Sequence, residues 1–207
     1  MYIHFIKPVF DWIFALICTI ILSPVLILFT IILTIINDRK VFFFQQRPGQ
    51  NGKIFLLLKF KTLLDKRDET GGILPDNMRQ FRFGTFLRHY HFDELPQLIN
   101  VLKGEMQIIG PRPLLVEYLP YYNDIQNKRH LCKPGIIGLS QVMGGNRLSW
   151  LQRLRLDVFY VEHESFALDL QIVMRTFKYF FQKEKTADID SIFSLESFID
   201  FRNNKKN

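Results

Sequence analysis

Between Trp12 and Ile36 the chain carries no charged side chain, and Ile, Leu, Phe and Val dominate the run. Wound as a helix, a run of this length reaches across a hydrocarbon core of roughly 30 Å, so this chain meets a membrane. It is too long for the apolar part of a cleaved signal peptide, and no small-residue cleavage site follows it. Ser23 and Pro24 stand at its middle, where the proline removes one helical hydrogen bond and crowds the preceding turn. Lys7 precedes the run, and Arg39, Lys40, Arg47 and Lys53 follow it. Basic flanks favour the cytoplasm. Two arrangements stay open: a kinked helix that spans, and a helix-break-helix that dips in at Ser23-Pro24 and returns.

The 207 residues divide into a membrane segment (1–38), one folded domain at the membrane interface (39–185) and a polar tail (186–207) to which no role attaches. A formal charge of +7 together with 21 Phe points to an anionic partner: a membrane surface, a nucleic acid or a phosphorylated substrate. Cys18 and Cys132 are far apart and one lies inside the apolar run, so no disulfide framework is expected and a reducing compartment is.

The fold class expected is α+β, mostly helical with a small β-hairpin or sheet. Val41 to Gln46 and Ile54 to Phe60 are aromatic and β-branched runs joined by PGQNG, whose Asn51-Gly52 signals a hairpin turn. Asp65 to Asn77 reads as a solvated loop. Phe81 to Tyr90 reads as a basic, aromatic helix suited to the headgroup layer. Gln107 to Ile109 and the IIGLSQV stretch read as strands, and Glu117 to Arg129 as a surface helix or loop. Ser149 and Gln152 have capping-box spacing and open a long helix in which Asp157 and Tyr160 share a face. Ile172, Val173, Phe177, Phe180 and Phe181 against Arg175, Lys178, Lys183 and Lys185 suit equally an interfacial amphipathic helix and a core helix with a solvated face.

The adjacent carboxylates Asp93 and Glu94 organise the rest. Leu95, Leu98, Ile99 and Leu102 fall on one face of a helix that Gly104 stops, with Asp93 at the N-cap and Pro96 in the first turn. At the positive end of the helix dipole both carboxylates are expected to be ionised, which suits metal binding or nucleophilic attack. Downstream, Gly110-Pro111-Arg112-Pro113 offers an arginine from a stiffened backbone, fit for a phosphate clamp. The GQNGK at Gly49 is no P-loop, since its spacing is too short and no Ser or Thr follows. His89 and His91 lack a second histidine pair to make a metal cluster with the dyad, and Asp188-Ile189-Asp190 sits in a tail without the βαβ units of a nucleotide-sugar fold. Carboxylates repel phosphate unless a hard divalent cation bridges them, and Mg²⁺ takes carboxylates and substrate phosphates together. Phosphoryl-group chemistry at a membrane surface is the expectation.

The chain resembles the bacterial monotopic phosphoglycosyl transferases, the initiating sugar transferases of undecaprenyl-phosphate glycan assembly. The resemblance runs in order through Asp11, Ser23-Pro24, QQRPGQNGKIF, KFKTL, FLRHYHFDELPQLINVLKGEMQIIGPRP, KPGIIGLSQV, NRLSW, and Asp157 with Tyr160. It implies a re-entrant helix broken at Ser23-Pro24 in the cytoplasmic leaflet of the bacterial inner membrane, and a catalytic domain at that interface. It implies Asp93 as the nucleophile on a UDP-sugar, releasing UMP and passing the phosphosugar to undecaprenyl phosphate, with Mg²⁺ held by Glu94 and Asp93. Lys59, Arg88 and Arg112 then neutralise phosphate charge, while Asp157 and Tyr160 support the site. One departure stands out: the family's arginine before the asparagine of the segment leading to Trp150 is Gly145 here, and Arg147 is the candidate replacement. Two rivals are a polyprenyl-diphosphate hydrolase using the same dyad on water, and a non-enzymatic module binding anionic lipid or nucleic acid. Acidic Asp93 and Glu94 among the cations weigh against nucleic acid as a partner.

Overall fold

A computed structural model describes residues 1–181. The tail, Lys183, Lys185 and the Asp188-Ile189-Asp190 triplet lie outside the described residues.

One turn of π-helix, Tyr2–Ile6, leads into α1, Lys7–Ile36. The residues leave a kinked helix and a break at Ser23-Pro24 both open, with the break implied by the resemblance; α1 is one element that runs through Pro24. Proline has no N–H for the carbonyl four residues back, that of Ile20. Ser23 Oγ donates to this same carbonyl at 2.7 Å. The Ser-Pro pair thus carries its own replacement hydrogen bond, as an apolar surrounding demands, and the helix continues.

Along α1, Lys7, Asp11, Ala15, Phe29 and Leu33 are buried, and Cys18, Leu22 and Leu26 pack against the same cores. Steps of three and four residues place all eight on one helix face. The folded domain therefore lies along the whole of α1, which at about 1.5 Å per residue is roughly 45 Å long. Both ends are tied to it: Lys7 Nζ reaches Asp169 at 2.6 Å, and Asn37 Nδ2 donates to the Lys61 carbonyl at 2.9 Å. The opposite face exposes Phe10, Ile20, Ile21, Ile27, Ile31 and Ile35.

The hairpin forms as expected, with β1 (Phe42–Pro48) antiparallel to β2 (Ile54–Phe60) and Asn51 and Gly52 both at positive φ in the turn. A loop and the short α2 (Asp76–Arg79) lead to α3, Arg82–His89. α4 begins only at Gln97 and ends at Leu102, with Gly104 at φ +75° beyond it. Asp93 does not cap α4. Pro96 cannot donate to the Phe92 carbonyl, so the ladder splits and the dyad occupies its own 3₁₀ turn, Phe92–Glu94. α4 buries Gln97, Leu98, Asn100 and Val101, while Ile99, expected inside, is 37% exposed. The helix is wedged between α1 and β2 and so buries two sides, one of them through polar Asn100.

β3 (Gln107–Ile109) follows, then α5 (Asp124–Asn127), β4 (Gly135–Ile137), α6 (Leu139–Val142), α7 (Trp150–Glu162) and α8 (Phe166–Phe181). IIGLSQV is a strand only to Ile137; beyond Gly138 it winds into α6. β3 and β4 pair in parallel, and a Cβ on Gly135 would overlap the Gly110 backbone, so only glycine lets these strands cross at the start of the GPRP turn. The segment from Glu117 to Arg129, expected at the surface, buries Tyr118, Gln126 and Arg129. The capping box of Ser149 with Gln152 is present at the start of α7. In α8 Ile172 is fully buried, while Phe166, Leu170, Met174 and Phe177 point outward.

Candidate active site

The dyad turn is placed by three devices. His91 adopts a left-handed conformation (φ +57°), which swings the chain out of α3 and into the 3₁₀ turn. Phe92 packs against Phe29 of α1 and Phe86 of α3. Asn100 of α4 fixes β2 alongside: its Oδ1 accepts from Leu58 N at 3.0 Å, and its Nδ2 donates to the Leu56 carbonyl at 2.8 Å. Lys59, next on β2, is thereby held opposite Glu94.

The two carboxylates have different fates. Glu94 Oε1 accepts from Lys59 Nζ at 2.9 Å and from Arg112 Nη2 at 2.6 Å, and Oε2 from Arg112 Nη1 at 3.2 Å. Burial alone would raise its pKa, but the Arg112 and Lys59 charges hold it well below the usual carboxylate range. Asp93, 8% exposed, accepts no side-chain hydrogen bond among the described residues. Burial pushes it up to about 6, with Lys59 opposing and Glu94 adding to the rise. The helix-dipole expectation thus holds in direction for Glu94 and is reversed for Asp93, because desolvation of an unbonded carboxylate outweighs the nearby cations.

Asp93 faces a cavity of about 960 Å³. Lys59, Arg88 and Arg112 line it with Asp93, so the structure brings these expected residues together. Nine of the lining residues are Lys or Arg against three carboxylates, which makes it an anion site. Arg147 is exposed and lies outside the lining; Arg153 of α7 occupies this wall instead. His89 and His91 are exposed, and no group of three or more His, Cys, Asp or Glu side chains gathers to hold a metal among the described residues.

Asp157 and Tyr160 sit behind the site. Asp157 accepts from Arg129 Nη2 at 2.8 Å, from Arg129 Nε at 3.2 Å and from Ser140 Oγ at 2.9 Å. Arg129 Nη2 also donates to the Arg112 carbonyl at 2.7 Å, which makes Asp157 the anchor of the GPRP turn. Arg47 reaches that turn from the hairpin through the Pro113 carbonyl at 3.2 Å. Tyr160 Oη lies 2.9 Å from the Ile109 carbonyl and 2.7 Å from Asp169 Oδ1, joining β3 to the Lys7 anchor of α1. Asn100, Arg129 and Arg153 were not singled out from the sequence. The partners that give Asn100 and Arg129 their roles are distant in the chain, and Arg153 is marked only by its burial in the cavity wall.

The sequence model described as bacterial sugar transferase matches residues 2–183. The chain belongs to the bacterial sugar transferase family. Over 175 residues, 83% of this chain and 85% of the relative, it is 48% identical to an uncharacterized sugar transferase, EpsL, of Bacillus subtilis. It is 34% identical over 82% of its length to the UDP-glucose:undecaprenyl-phosphate glucose-1-phosphate transferase of Xanthomonas campestris pv. campestris. The undecaprenyl-phosphate galactose phosphotransferase of Salmonella typhimurium is 31% identical over 84%. This sugar transferase spans 37% and 40% of the length of those two proteins.

Proposed function

We propose that this sugar transferase moves a phosphosugar from a UDP-sugar to undecaprenyl phosphate through a covalent Asp93 intermediate. The observation that carries the reading is the division of labour in the dyad. Glu94 is saturated by two cations, while its neighbour Asp93 accepts no side-chain hydrogen bond among the described residues and faces a basic cavity. A carboxylate oxygen of Asp93 attacks the sugar-bearing phosphorus, the bond to the bridging oxygen breaks, and UMP leaves with the electron pair. An oxygen of the lipid phosphate then attacks the same phosphorus and frees Asp93. No proton has to move in either step, so an ionised carboxylate is the whole requirement. The two relatives named for undecaprenyl-phosphate chemistry support the acceptor.

The donor set fits a hard divalent ion that takes adjacent carboxylates and completes its shell with phosphate oxygens. Asp93 and Glu94 are the residues that would hold it, Asp93 accepting no side-chain hydrogen bond among the described residues and Glu94 already engaged by Lys59 and Arg112. Bound Mg²⁺ supplies neutralisation of phosphate charge. UMP release from one of a panel of UDP-sugars, dependent on undecaprenyl phosphate, abolished by EDTA and restored by Mg²⁺, is the expected result. Release that survives chelation removes the ion from the reading, and release of inorganic phosphate from lipid diphosphate without a UDP-sugar replaces the reaction with hydrolysis.

The membrane arrangement is monotopic in this reading, with α1 dipping into the cytoplasmic leaflet of the inner membrane. Support comes from the polar ties at both ends of α1 and from the buried stripe between them, since a helix bound along its length to a charged domain cannot cross alone. Cysteines introduced at His4 and Lys40 are expected to be protected from an impermeant maleimide in intact cells. Labelling of either one alone would establish a spanning helix.

A further inference from the structure

Among the side chains alone, the dyad's own cations carry little positive charge beyond what the two carboxylates take up. Lys59, Arg88 and Arg112 face Asp93 and Glu94, a surplus of one positive charge with both carboxylates ionised. The diphosphate of a nucleotide sugar brings two negative charges. When Asp93 attacks, its own charge is absorbed into the new P–O bond and the departing nucleoside monophosphate becomes a dianion. Charge therefore moves away from the dyad during the reaction, and the wall it moves toward must be cationic.

The cavity has two unlike walls. On the loop side Asp65 is paired with Lys40 and Lys61, and Asp76 with Arg79, so each carboxylate there already engages a cation. On the α7 side Arg47 and Arg153 line the cavity beside Tyr118 and Trp150, and the carboxylate that acts on Arg153 is Asp157, behind the cavity lining. Arg153 is the one supplied by α7, and it is 7% exposed. Its Nη2 donates to the Gly145 carbonyl at 2.8 Å, and the guanidinium lies 5.4 Å over the Trp150 ring, itself edge-on to Tyr118 at 5.3 Å. Backbone and aromatic ring together fix the plane of the group before any ligand arrives. Burial pushes the Arg153 pKa down to about 10, with Asp157 opposing the shift and Arg112 and Arg129 adding to it.

We propose that Arg153 binds the phosphate of the departing nucleoside monophosphate, giving this transferase a leaving-group clamp on α7 separate from the cations around the dyad. This rests on the reading that the donor is a nucleoside diphosphate sugar. It assigns Gly145 a part as well: its carbonyl is what orients Arg153.

Three measurements with the full-length protein in nanodiscs test it: UMP release, inhibition by UMP against uridine, and direct calorimetric binding of UMP. Arg153→Met and Arg153→Lys are compared with the parent, and thermal melts verify that both fold. Losing one charge-assisted pair is expected to weaken UMP inhibition and binding by about tenfold to a hundredfold, with uridine unaffected. The rate of UMP release should fall by about 10²-fold in Arg153→Met, and Arg153→Lys should recover part of both losses. Equal loss of uridine and UMP would mean that Arg153 merely holds up the pocket, and an effect confined to the KM for undecaprenyl phosphate would assign it to the lipid; either overturns the proposal, as does unchanged UMP binding. If the parent releases no UMP from any donor, the proposed reaction fails, while calorimetry still decides whether Arg153 grips a nucleoside monophosphate.

Discussion

Asp93→Asn is expected to abolish UMP release, by about 10⁴-fold or more, and at the same time to make the protein more stable at neutral pH. The first effect follows from removing the nucleophile; an amide oxygen cannot form the acyl phosphate, and what remains is binding and electrostatics. The second follows from the cost of keeping this carboxylate charged in a buried position. Its folded pKa is about 6 against an ordinary value of 3.8. A raised carboxyl pKa means that the folded state holds its proton more tightly than the unfolded chain does. Stability is therefore lost as pH rises from about 4 through 6, by up to about 3 kcal/mol from two units at about 1.4 each. Asparagine removes that loss, so the gain should be present at pH 7.5, up to about 6–12 °C in melting temperature for a chain of this size, and should vanish near pH 4. The same titration sets the pH profile of the parent: kcat/KM should climb through an acid limb near pH 6 as Asp93 ionises. A limb near pH 4, or a stability gain that does not depend on pH, would show that Asp93 is not held up by burial.

What the sequence discloses and what it hides divide along chain separation. The hairpin is legible because Asn51-Gly52 encodes a positive-φ turn locally, and α7 is legible because Ser149 and Gln152 close a capping box within one turn. The dyad is legible as chemistry but not as geometry. Its helix-dipole reading takes Asp93 and Glu94 as equivalent, whereas Arg112, 18 residues on, and Lys59, 35 residues back, both choose Glu94 and leave Asp93 to bear its desolvation unaided. The Ser23-Pro24 pair is locally ambiguous. Proline reads as either a kink or a break, and the donor it removes is replaced by the hydroxyl beside it, which only the rotamer of Ser23 discloses. Arg153 and Arg129 are two of the 27 basic residues in the sequence. Burial distinguishes them, and burial of a charge is a tertiary property.

The GPRP arginine owes its place to a buried ion pair, and breaking that pair should produce the largest stability loss in the domain. Arg129 and Asp157 have side chains about 2% exposed. In Asp157→Ala, Arg129 keeps its charge with no carboxylate against it in the interior, a loss of about 3–5 kcal/mol. UMP release should fall with it, since Arg129 also donates to the Arg112 carbonyl and so sets where that guanidinium meets Glu94 and phosphate. Stability and placement separate in the double variant Arg129→Met, Asp157→Leu. Two apolar side chains of similar volume replace the pair without a stranded charge, so most of the melting temperature should return. The donor to the Arg112 carbonyl does not return, so kcat/KM should stay at least tenfold below the parent. Full recovery of activity along with stability would mean that Arg129 only fills and neutralises the interior. Recovery of stability alone identifies the buried pair as what aims Arg112 at the substrate.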